Sequence, residues 1–89
     1  MVVKGVTKAG FKYEFDMEDI EDMRFVEALA EADEGSPRAL RQVLDTMLGE
    51  EQKNRLYDFC QDEKGRVPIT AIRDAITEMF ESSGDETKN

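Results

Sequence analysis

Histidine and tryptophan are absent, cysteine occurs once, and proline occurs twice. Each scarcity excludes something. Without histidine, the usual base that activates a serine or cysteine nucleophile is missing. A single thiol, Cys60, permits no intrachain disulfide and fits a reducing compartment. No apolar run approaches the roughly 20 residues of a membrane-spanning helix, and the start, Met-Val-Val-Lys-Gly, lacks the apolar core of a secretory signal. The expected location is the cytoplasm. Glycine-rich phosphate loops are also missing, so no cofactor is expected.

Acids outnumber bases 21 to 12 over 89 residues, a formal net charge of -9. That balance favours solubility and opposes phosphate backbones. The charge is segregated. Residues 14–34 hold ten acids and one base, Arg24, whereas the first twelve residues hold Lys4, Lys8 and Lys12 and no acid. Paired carboxylates do acid–base chemistry only in a cleft that perturbs them. Here the acids fall on outward helix positions, so the chain reads as a binding protein and not an enzyme.

The pattern predicts a mainly α fold: four short helices in a small bundle, preceded by an N-terminal β-hairpin or a single strand with an arm before it. One domain is expected over 1–81, with the hairpin at about 2–15 and a disordered polar tail at 82–89. Val2, Val3 and Val6 favour strand, and Phe11-Lys12-Tyr13-Glu14-Phe15 alternates with the period of a half-buried strand. Lys8-Ala9-Gly10 supplies the turn. Asp16 is placed to cap a helix from about Met17 to Ala32 with Met23, Phe25, Val26, Leu29 and Ala30 on its apolar face. Ser36-Pro37 opens a second helix burying Leu40, Val43, Leu44, Met47 and Leu48, ended or bent at Gly49. A third runs from about Glu51 to Gln61 with Leu56, Phe59 and Cys60 inward. A fourth opens at Pro68 and runs to about Glu81 with Ile69, Ile72, Ala75, Ile76, Met79 and Phe80 inward. Residues 82–89 contain no apolar side chain and cannot repay the entropy of ordering.

Two motifs fail on their own chemistry. Asp62-Glu63-Lys64-Gly65-Arg66-Val67 has the glycine of a calcium loop, but that register puts Cys60, Lys64 and Ala71 at ligand positions one, five and twelve. A polar turn is expected and no metal. Helices meeting at Gly49 could be drawn as a helix-turn-helix, yet the second begins Glu50-Glu51, which faces phosphate with the wrong sign. Neither direct nucleic-acid binding nor membrane binding is expected. DNA mimicry through the acids of 14–34 is weaker than a solvated helix face.

The apolar supply exceeds what four short helices need. Phe11, Tyr13 and Phe15 on the hairpin, with Phe25 and Leu29 of the first helix, are the expected partner-binding residues. Leu56 and Phe80 read as core, and Arg38 and Arg41 as candidates for pairing with an acidic neighbour in a homo-oligomer.

Taken in order, the segments Phe11–Phe15, Phe25-Val26-Glu27-Ala28-Leu29-Ala30-Glu31, Gly35-Ser36-Pro37, Leu40–Leu48 with Gly49-Glu50-Glu51-Gln52, Asp62–Pro68, and Met79-Phe80-Glu81 with its polar tail form a string over residues 11–89. This string resembles the tail assembly chaperones of long-tailed, siphovirus-type phages and prophages of Gram-positive bacteria. The resemblance implies a holdase for the tape measure protein, acting in the host bacterial cytoplasm and not retained in the mature virion. It also implies self-association and a longer form made by ribosomal frameshifting near Thr87-Lys88-Asn89, with the major tail tube protein as a further partner. The competing expectation is a small acidic phage regulator binding DNA or a DNA-binding protein.

Overall fold

The computed structural model describes the backbone of residues 1–87 and the side chains of residues 1–81. Two antiparallel strands, β1 (Val2–Val6) and β2 (Lys12–Asp16), are followed by α1 (Met17–Ile20), α2 (Met23–Asp33), α3 (Pro37–Cys60) and α4 (Ile69–Thr87). The fold is mainly helical with an N-terminal hairpin, as the pattern implies. Val3 pairs with Phe15 and Gly5 with Tyr13 across the ladder. The turn closes where Gly10 adopts φ 108°, a conformation that favours glycine. There the Thr7 N–H donates to the Phe11 carbonyl at 2.9 Å and the Phe11 N–H to the Thr7 hydroxyl at 3.0 Å.

The first helix expected over 17–32 is two helices. Asp22 is extended, at φ -79° and ψ 133°, and its carboxylate accepts the Arg24 N–H at 2.8 Å. An aspartate that bonds the backbone locally competes with continued helix and starts a new one. The restart rotates α2 so that Phe25, Ala28 and Ala32 face the core. At its far end the Gly35 and Ser36 amides donate to the carbonyls of Ala32 and Glu31, a Schellman closure. The Ser36 hydroxyl then caps α3 at the Ala39 N–H, 3.1 Å away, with Pro37 in the first turn.

Gly49 divides α3 into two helical arms across a sharp kink, as its place between two expected helices implies. Its φ of 81° and ψ of 164° lie in a region nearly confined to glycine, and helix resumes at once. Lys53 spans the bend: its ammonium sits 2.6 Å from the Asp45 carboxylate, and its side chain is only 9% exposed. The buried stem packs at the elbow while the charge reaches a half-exposed partner. Arg41, expected to seek an acid on a neighbour, instead lies 3.8 Å from Asp45 of its own helix.

The core joins the inner face of the hairpin to α2, both arms of α3, and α4. Val3, Val43, Leu44, Leu56 and Met79 are sealed in it. Ile69 and Phe59 are 62% and 46% exposed, which corrects their expected inward placement. Ile69 precedes the stretch of α4 that packs, and Phe59 covers Phe11 from outside, ring centroids 5.5 Å apart. Cys60 is half-buried, and desolvation pushes its thiol above the usual value. The helix extends six residues beyond Glu81. The expected tail falls on 82–89, whose side chains, and at 88–89 the backbone, lie outside the described residues.

Candidate functional site

The predicted partner-binding residues divide sharply. Phe11, Tyr13, Phe15 and Phe25 are between 3% and 5% exposed. Their expected exposure is corrected: strand alternation puts 11, 13 and 15 on one face, and the helices close over all of it. Tyr13 lies over Gly5, where an added Cβ would come within 2.7 Å of the ring carbon that carries the hydroxyl. Tyr13 and Phe15 stack at 6.0 Å, and Phe25 meets Phe80 at 5.9 Å. These aromatics are what a thin domain needs to close its core.

Leu29 is the predicted site residue left half-open. It lines a cleft of about 340 Å³ between α2, the start of α3 and α4, with Leu40, Ile76 and Phe80. Asp33, Arg73 and Glu81 form its polar border. The Arg73 guanidinium donates to the Ala32 carbonyl at 3.4 Å, tying α4 to the C-terminal end of α2.

The apolar surface continues outward from Leu29. At 100° per residue, Val26, Ala30 and Met23 follow it in steps around α2. Met23 is 65% exposed and Val26 45%. The apolar arc of α2 is therefore wider than the core can cover. Glu27 and Glu31 bound it on the far side, both exposed. Met23 and Val26 lie on the apolar face that the pattern predicts for this helix but outside the predicted site. Their signal was the excess width of that face.

The polar motifs are spent on structure. The Asp62 carboxylate accepts the Lys64 and Arg66 N–H groups, each at 2.9 Å, and organises the turn ahead of α4. Gly49 is a single non-helical residue, not the three- or four-residue turn of a helix-turn-helix. Among the described residues, no helix is long and apolar enough to cross a membrane, and no cluster of three or more histidine, cysteine, aspartate or glutamate side chains is placed to hold a metal.

No protein-family model, curated protein or solved structure matches this chain. The α2 stripe and the cleft beside it, read on their own chemistry, form a surface suited to an apolar ridge on another protein. An amphipathic helix offers such a ridge, with side chains at three- and four-residue spacing that can enter the cleft at Leu29 and Phe80.

Proposed function

We propose that this protein is a non-enzymatic assembly chaperone that shields an apolar stripe of a long helical partner. The partner inferred from the resemblance over residues 11–89 is the tape measure protein of a phage tail. The observation that carries the reading is the exposure of Met23 and Val26, which follow Leu29 at three-residue spacing along α2, beside the cleft that Leu29 lines with Leu40 and Phe80.

A long helix with an unburied apolar stripe aggregates until something covers it. A subunit with a matching stripe covers a short stretch of it. Its net charge of -9 then keeps the loaded chain dispersed by repulsion. Release follows when tail tube subunits bury the same stripe over a larger area. Only weak, many-copy binding is consistent with that exchange, and the small α2 patch fits it.

Co-production with the tape measure protein of a siphovirus-type phage tests the reading. The long chain stays in the soluble fraction with the native protein and pellets with the double variant Met23→Lys, Val26→Asp. A tape measure protein that pellets equally with both proteins, or stays soluble equally with both, rejects the α2 surface as the holding site.

A further inference from the structure

The hairpin has two long edges, and one of them is held at its centre. The Met17 N–H donates to the Met1 carbonyl at 2.8 Å and the Thr7 N–H to the Phe11 carbonyl at 2.9 Å. These bonds set the alternation of the ladder, so Val2, Lys4 and Val6 direct their N–H and C=O groups away from β2. The same alternation turns Glu14 outward on β2. There the Gln52 carboxamide takes both of its backbone groups, accepting the Glu14 N–H at 2.9 Å and donating to the Glu14 carbonyl at 2.8 Å. On β1, among the described residues, the outward groups of Val2, Lys4 and Val6 have no protein partner. Only the next outward amide, that of Lys8, is taken, by the Glu78 carboxylate at 3.1 Å.

The side chains along this edge form a pattern. Val2 and Val6 are 56% and 59% exposed, and between them the Lys4 ammonium reaches only a loose contact with Glu14 at 3.9 Å. Lys8 and Lys12 make no ion pair among the described residues. We infer that β1 is a strand-addition site for an acidic segment of a partner protein, extended and patterned apolar–x–acid–x–apolar. Its backbone completes the ladder at Val2, Lys4 and Val6, its acid meets Lys4, and its apolar residues cover the two valines. The pattern is symmetric, so it fits either strand direction.

Charge and geometry both argue against a second copy as the occupant. Pairing β1 with β1 of another copy, centred on Lys4, sets two lysines directly opposite one another, which is unfavourable. Pairing β1 with β2 of another copy requires an edge that Gln52 already holds. An acidic strand, in contrast, is repelled by the strongly acidic remainder of the chain and drawn to its basic tip. This site shares no residue with the α2 cleft, so either can fail without the other.

The probe is an acetylated, amidated peptide, Ser-Thr-Val-Thr-Glu-Thr-Val-Thr-Ser, added to the full chain while amide hydrogen exchange is followed by NMR. Exchange at Lys4 and Val6 slows by about tenfold at saturation, while Gly5 and Thr7, already inside the ladder, change little. A peptide with lysine in place of the central glutamate binds roughly fivefold more weakly. The Lys4→Gln variant, which sets no like charge against Glu14 across the ladder, abolishes that preference at a nearly unchanged melting midpoint. No slowing at millimolar peptide, or equal binding of both peptides, overturns the proposal. So does protection of the same amides that rises with protein concentration in the absence of peptide, which would make a second copy the occupant.

Discussion

The hairpin and α2 both carry more apolar side chains than a short element needs, and they dispose of the surplus in opposite ways. On β2 and the Phe11 that leads into it, alternation sends Phe11, Tyr13 and Phe15 to one face and Lys12 and Glu14 to the other, so nothing aromatic is left outside. On α2, a period of 3.6 spreads the apolar residues over a wide arc. Phe25, Ala28 and Ala32 enter the core, Leu29 stops at its margin, and Val26 and Met23 stay in solvent. A two-faced element is either covered or not. A cylinder can be covered in part, and the uncovered part is where a partner can bind.

That contrast is sharpest in stability. Phe15→Ala lowers the unfolding free energy by about 3–5 kcal/mol, whereas Val26→Ala changes it by less than about 0.5 kcal/mol. Urea titration measures both, and a small loss at Phe15 would break the distinction between core and surface. Gly49→Ala comes next, with a loss of about 1–3 kcal/mol. An added Cβ there meets nothing within 4 Å, so the whole cost lies in the backbone angle. A neutral result in the same titration would mean that α3 straightens without harm to the elbow.

Gln52→Ala removes both bonds to Glu14 and a third to the Leu48 carbonyl, and costs about 1–3 kcal/mol, summed from three modest hydrogen bonds. It also exposes the edge of β2, so light scattering should show association that grows with concentration. The smallest effect is at the hairpin exit. The Glu18 N–H, and after it the Met1 ammonium, hold the Asp16 carboxyl below its usual 3.8. A lowered folded-state value favours the folded form above pH 3.8, and that contribution disappears as pH falls through the folded value. The Asp16→Asn variant therefore shows a shallower acid limb in its melting midpoint, with little change at neutral pH.

Much of the fold was legible because its signals are local. Alternation at 11–15, glycine at 10, Ser36-Pro37 and the glycine at 49 each act within a few residues, and each does what its chemistry implies. The break at Asp22 was missed because an acidic residue among many acids does not announce that its carboxylate will cap a backbone amide. The candidate site was half legible. Leu29 lies at the edge of the cleft, but Phe11, Tyr13, Phe15 and Phe25, which the pattern puts at the surface, are core. Apolar pattern shows which face of an element avoids water, not whether another element or another protein covers it.

The sequence by itself determined the elements, their order, their caps and the separation of a basic tip from an acidic body, since these depend on nearest neighbours and composition. Only the tertiary structure decided which apolar surfaces stay open. Closing the core used all of the hairpin's inner face and part of α2, buried Lys53 at the elbow, and placed Gln52 along one strand edge while the outward backbone groups of Val2, Lys4 and Val6 on the other have no protein partner among the described residues. Those outcomes depend on contacts between residues tens of positions apart, whose packing no local pattern encodes.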